Sequence, residues 1–155
     1  MMRIFGTLLM LVFGLHFSAL AQADKRKKEF NVSSSSLAIN GYDPVAYFTQ
    51  GKAIKGSAAN ALAFDGLTYY FSSSQNKETF RNAASRYEPQ YGGWCAYAMG
   101  KNGEKVEVDP ETFKIVEGKL YLFYNKYFTN TLNSWNKDEN RLRSKADINW
   151  QSIIK

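Results

Sequence analysis

The sequence predicts an α+β fold, two short β-hairpins packed with several helices in one small domain with a helical C-terminus. Three observations lead there. Asp65-Gly66 and Glu117-Gly118 are each flanked by strand formers, which is a strong short-range hairpin signal because the tight turn needs positive φ at both central residues. Asp43-Pro44 and Ser72-Ser73-Ser74 are helix-start signals. The chain after Asn125 turns helical in composition and ends in a predicted helix.

Taken in chain order, residues 1–23 read as a cleavable signal peptide: Arg3, an apolar run from Ile4 to Leu20, then Ala21-Gln22-Ala23 with small residues at the two positions a signal peptidase reads. Export to the periplasm or the medium is expected, with cleavage after Ala23. A retained anchor is the alternative, although the run is short for a span and Asp24-Lys25-Arg26-Lys27-Lys28 follows it at once. Residues 24–36, basic and then Ser-rich, are expected to form a flexible leader, because they hold too little apolar content to order themselves. The domain proper is expected over 37–155.

Asp43 as N-cap with Pro44 opens a short helix over Val45–Gln50 closed by Gly51. Ala61–Phe64 and Leu67–Phe71 form the first hairpin. Ser72 with Gln75 three residues on suggests a capping box, and the helix behind it is expected to reach Ser85 and bury Phe80. Pro89 and Gly92-Gly93 take Arg86–Gly93 out of that helix, and Trp94–Met99 reads as a short buried helix. The second hairpin spans Thr112–Val116 and Lys119–Tyr124, with Leu120, Leu122 and Tyr124 alternating against Tyr121 and Phe123. Beyond it, Phe128, Leu132 and Trp135 are spaced for one helix face. A last helix over Asp138–Ile154 offers Leu142, Ala146, Ile148 and Ile153 to the core.

Charge and composition narrow the chemistry. Removing Arg3 with the signal peptide leaves 19 basic against 14 acidic residues, a net +5, and four of the positives sit together at Lys25–Lys28. Such a cluster behind a signal peptide is a solvated tail, so a nucleic-acid partner is not expected. The single histidine, His16, departs with the signal peptide, which removes Ser-His-Asp and Cys-His mechanisms and histidine-rich metal sites. One cysteine, Cys95, makes no intrachain disulfide, so stability must come from the core.

Several stretches carry a resemblance. Asn40-Gly41-Tyr42-Asp43-Pro44-Val45-Ala46-Tyr47-Phe48, Leu67-Thr68-Tyr69-Tyr70-Phe71-Ser72-Ser73, Phe80 and Tyr87 are similar to a YHS domain. The stretch from Tyr87 to Ala98, Gly118-Lys119-Leu120-Tyr121-Leu122 and Lys145-Ala146-Asp147-Ile148-Asn149-Trp150 resemble exported bacterial YHS-domain proteins. The resemblance implies a small metal-associated module whose relatives carry thiolates at three positions, here Ala46, Ser72 and Asn76, none of which can supply one.

Candidate binding residues follow from what is left. Cys95 and Met99 are four apart and both soft, so on one helix face they are candidate ligands for copper as Cu(I); the alternative is a buried small cysteine and a core methionine. Tyr42, Asp43, Tyr91, Trp94 and Tyr97, with Tyr87, are candidates for an aromatic ligand pocket with one carboxylate, or else for core and capping roles. The expectation is a noncatalytic exported binding module of YHS type, its ligand a metal ion or small molecule near Tyr91–Met99. Two alternatives stand beside it. One is an accessory protein docking on an exported or membrane partner; the other is a thiol-dependent redox protein using Cys95, activated by a helix N-terminus.

Overall fold

The computed structural model describes residues 21–155. The signal-peptide reading of 1–23 therefore lies, except for Ala21-Gln22-Ala23, outside the described residues. Residues 21–29 are helical (α1). There follow α2 (Ala46–Thr49), β1 (Ser57–Phe64), β2 (Leu67–Phe71), α3 (Ser74–Asn82), α4 (Ala84–Tyr87), α5 (Ala96–Asn102), β3 (Asp109–Val116), β4 (Lys119–Phe123), β5 (Asn125–Lys126), β6 (Thr129–Asn130), α6 (Thr131–Asn136) and α7 (Glu139–Ile154). The strands pair as three antiparallel two-stranded sheets, β1-β2, β3-β4 and β5-β6, so the fold is α+β with a helical C-terminus.

Both predicted turns form where the sequence puts them. Asp65 and Gly66 have φ of 45° and 81°, and Glu117 and Gly118 have 52° and 72°, the double left-handed turn that matches strand twist. Each hairpin is longer than its apolar pattern suggested. Beyond the register breaks between Ser57 and Ala61 and between Asp109 and Phe113, the strand continues to a further pair.

The core has two halves, and β4 divides them. Leu120 and Leu122 pack into one cluster with β2, Tyr47 and Phe80, while Tyr121 and Phe123 pack into the other with Met99, Trp135, Leu142, Ala146 and Trp150. The alternation along β4 thus separates two interiors rather than an inside from an outside. In the first half, Phe80 of α3 stacks at ring-centroid distances of 4.7, 5.3 and 5.7 Å on Tyr69, Phe71 and Phe64. In the second, α5 crosses α7 so closely that a Cβ at Gly100 would lie 2.4 Å from Leu142 O.

Four expectations are corrected. Residues 24–36 are docked rather than extended from the domain: Arg26 pairs with Glu88, Lys105 pairs with Glu29, and Phe30 packs edge-on to Trp150 at 5.5 Å. Few apolar groups suffice because Phe30 is clamped and the basic residues meet fixed carboxylates. Phe128 does not share a helix face with Leu132 and Trp135. Asn130 caps α6 by accepting from Leu132 N at 3.0 Å, which starts the helix at Thr131 and leaves Tyr127 and Phe128 at the β5-β6 turn, 86% and 111% exposed. On α7, Ile148 is exposed, and Leu142, Ala146 and Trp150, spaced four apart, form the buried stripe. Finally α3 ends at Asn82, because Ala83 (φ −154°, ψ 48°) leaves helical space, and Ser73 rather than Ser72 caps it by accepting from Asn76 N.

Candidate functional site: a groove at the Tyr91 turn

Pro89 ends α4, and the next four residues form the 3-10 turn Gln90–Gly93, in which Tyr91, Gly92 and Gly93 all take left-handed φ (56°, 60° and 84°). Glycine tolerates this; tyrosine in the left-handed region is strained and persists only where its surroundings over-determine it. Here the Tyr91 ring is 3% exposed and packs at 5.8 Å on Tyr121, and its hydroxyl donates to Asp147 Oδ1 at 3.0 Å. Gly92 is sterically required. A Cβ there would meet Trp150 Cη2 at 2.7 Å and Phe30 Cγ at 3.0 Å. Asn31 N donates to Gly92 O at 2.9 Å, and Asn31 Nδ2 to Gly93 O at 3.2 Å, so the docked N-terminal segment is fastened to the same turn.

The turn, α7 and the N-terminal segment enclose a groove of about 380 Å³, with Phe30, Glu88, Tyr91, Lys119, Asp147 and Trp150 on its walls. Glu88 is already engaged: it pairs with Arg26 and accepts from the Tyr69 hydroxyl. Burial disfavours the Arg26 charge, but the hydrogen bond to Glu88 and the Glu88 charge, with smaller help from Tyr69 and Asp65, together more than offset that and hold the guanidinium above its ordinary value. Burial first, and Asp147 second, push the Tyr91 hydroxyl well above the ordinary tyrosine range, so it stays a donor. Lys119 and Asp147 are exposed, and among the described residues neither forms an ion pair.

The residues predicted as one aromatic pocket are distributed over separate places. Tyr42 lies away from the groove, its hydroxyl donating to Glu111 Oε1 at 2.9 Å and its ring beneath Lys55 Nζ at 4.1 Å. Trp94 Nε1 donates to Glu29 O at 2.7 Å, holding the N-terminal segment rather than a ligand. Tyr87 is buried against Phe48. Tyr97 lines a smaller hollow of about 190 Å³ with Lys101, Tyr124 and Thr131. Of the predicted group only Tyr91 reaches the groove.

Asp43 has a different role. It is fully buried and accepts five hydrogen bonds: Oδ1 from Val45 N (2.9 Å) and Ala46 N (3.3 Å), Oδ2 from Ser72 N (2.8 Å), Ser72 Oγ (2.7 Å) and Asn76 Nδ2 (2.7 Å). Ala46, Ser72 and Asn76, the three positions singled out by the resemblance, thus meet around one carboxylate whose lone pairs are spent on protein donors.

Cys95 and Met99 do not form a sulfur pair. Cys95 caps α5 with ψ of 115°, outside helical space, so the four-residue helical spacing does not bring the side chains together. Cys95 packs in the first cluster and Met99 in the second, both with no exposed surface. Cys95 Sγ accepts from Tyr124 N at 3.4 Å and lies 3.4 Å from Thr131 Oγ1, whose own proton goes to Tyr124 O at 3.0 Å. Among the described residues no group of three or more His, Cys, Asp or Glu side chains is placed to hold a metal ion. Phe30, Glu88, Lys119, Asp147 and Trp150 were not among the predicted site residues; they come from four distant stretches of chain, and although all but Phe30 fall in segments quoted for the resemblance, nothing in those segments assigned them to a site.

Comparison of the chain with protein-family models, with curated proteins and with solved structures returned no match.

Proposed function

We propose that this protein is a noncatalytic, exported binding module of YHS type that holds a small organic ligand in the Tyr91–Trp150 groove. The observation that carries the reading is the turn itself: a tyrosine in strained backbone, beside a glycine whose Cβ would meet Trp150 at 2.7 Å, lines a groove of about 380 Å³. Strain of this kind costs of order 1–3 kcal/mol per residue and clusters at ligand sites. The family reading draws support from the Asp43 hub, which joins the two segments that carried the resemblance. A copper site draws none, since Cys95 and Met99 are buried in different clusters.

Native mass spectrometry and elemental analysis of protein recovered from its own compartment test the proposal together. The expected result is an N-terminus at Asp24, a retained organic compound lost on Trp150→Ala substitution, and no stoichiometric metal. One copper per chain overturns it.

A second reading, an accessory protein docking on an exported partner, rests on one observation: two large aromatics, Tyr127 and Phe128, stand exposed at the β5-β6 turn. Aromatic anchors of this kind fill partner pockets. Photo-crosslinking from position 128 in the exporting cell, with loss of the product in Tyr127→Ser, is the expected result; no crosslink beyond background removes this reading.

A further inference from the structure

We infer that the groove's ligand is a small zwitterion, with its ammonium group at Asp147 and its carboxylate at Lys119; this rests on the groove being a binding site. The volume of about 380 Å³ is near the lower end for ligand pockets, roughly 300–1,000 Å³, which suits an amino-acid-sized molecule. Charge then selects the class. Arg26 neutralises Glu88, so the charges left to a ligand are Lys119 at the start of β4 and Asp147 on α7, and these two do not pair with each other or with any other described residue. One oxygen of Asp147 accepts the Tyr91 hydroxyl, which leaves the second for the ligand.

Each simpler class leaves a charge unanswered. An uncharged apolar compound would bury both Lys119 and Asp147 against nothing, which is costly. A phosphate or a polyanion would gain Lys119 but lie against the Asp147 carboxylate. A plain organic cation would gain Asp147 but lie against the Lys119 ammonium. A molecule with one charge of each sign answers both, and Trp150 on the groove wall gives the ammonium substituents an aromatic surface to rest on, the Phe30 ring already carrying the Arg26 guanidinium at 4.4 Å.

The test is a charge cycle on the mature chain, read by titration calorimetry and by the Trp150 indole N–H signal. The zwitterions are glycine betaine and γ-aminobutyrate. Beside them stand the cations choline and butylammonium, the anions 3,3-dimethylbutyrate and butyrate, and uncharged 3,3-dimethylbutan-1-ol. At least one zwitterion is expected to bind about tenfold or more tightly than its singly charged analogues, since each charged hydrogen bond is worth about that factor. Lys119→Gln is expected to abolish the preference over the matched cation, and Asp147→Asn the preference over the matched anion. Both sites are exposed, so unchanged melting temperatures confirm that the variants fold. If a singly charged or neutral compound moves the Trp150 signal and binds as tightly as any zwitterion, the zwitterion inference falls and the groove stands. If no compound moves that signal, both fall.

Discussion

Replacing Asp43 tests whether one carboxylate joins the start of α2 to the turn after β2. Asp43→Asn keeps Oδ1 and its two backbone donors, Val45 N and Ala46 N, and places an amide where Oδ2 was. Ser72 Oγ can rotate and Asn76 can flip to accept from that amide, but Ser72 N is a donor only and loses its 2.8 Å partner. One orphaned buried N–H costs about 1–3 kcal/mol, so that is the expected loss. Asp43→Ala orphans three backbone N–H groups at once and leaves the Asn76 amide only its 3.3 Å bond to Ser72 Oγ, in a site with no solvent access at Asp43, and about 3–6 kcal/mol is expected. That is a large share of the roughly 5–15 kcal/mol available to a domain. Urea unfolding followed by tryptophan fluorescence and far-UV circular dichroism measures both. An Asp43→Asn protein within about 0.5 kcal/mol of the parent, or an Asp43→Ala protein no weaker than Asp43→Asn, would refute the hub.

Three further outcomes follow. Gly100→Ala gains up to about 1 kcal/mol of helix propensity, but its Cβ would stand 2.4 Å from Leu142 O, and overpacking of this kind costs about 1–3 kcal/mol; the melting temperature is expected to fall, and a rise would show that α5 and α7 do not approach this closely. The hydrogen bond from Lys105 holds the Glu29 carboxyl below the usual carboxylate range, so its contribution to docking is full above the undocked value near about 4.3 and is lost as pH falls through the lower docked value. The Trp94 indole N–H, which donates to Glu29 O, should therefore report undocking only as pH falls below the undocked carboxylate value, and at higher pH in Lys105→Gln than in the parent; an identical pH profile in Lys105→Gln would contradict this. Native Cys95 should react with a thiol reagent only at the rate of an opening event, so labelling that is already fast without denaturant would show the sulfur to be reachable.

What was legible in the sequence was what short-range chemistry decides. The two X-Gly hairpins, the Asp43 cap and the Asp138-led final helix follow from residues within a few positions of one another, and each appears. What was not legible depends on distant partners. Nothing near Asp43 in the chain says that Ser72 and Asn76, about thirty residues on, will complete its hydrogen bonds. The Cys95–Met99 pairing failed because it assumed helical backbone at residue 95, where the chain is still extended. Phe30 lies within the stretch read as a flexible leader, yet its partner Trp150 lies at the other end of the chain. The groove is built from such pairings, so only Tyr91 among its walls stood out beforehand.

The docked N-terminal segment has a consequence for the order of assembly. Its contacts close very long loops: Arg26 to Glu88, Glu29 to Trp94 and Lys105, Phe30 to Trp150, and Lys25 to the backbone of Lys155. Loop-closure entropy and high contact order make such contacts slow to form, and in a chain that emerges N-terminus first their partners arrive last. The first residues to be made are thus the last to settle. The segment that completes the groove is the one with the longest wait, and a chain halted before α7 holds the hairpins but not the groove.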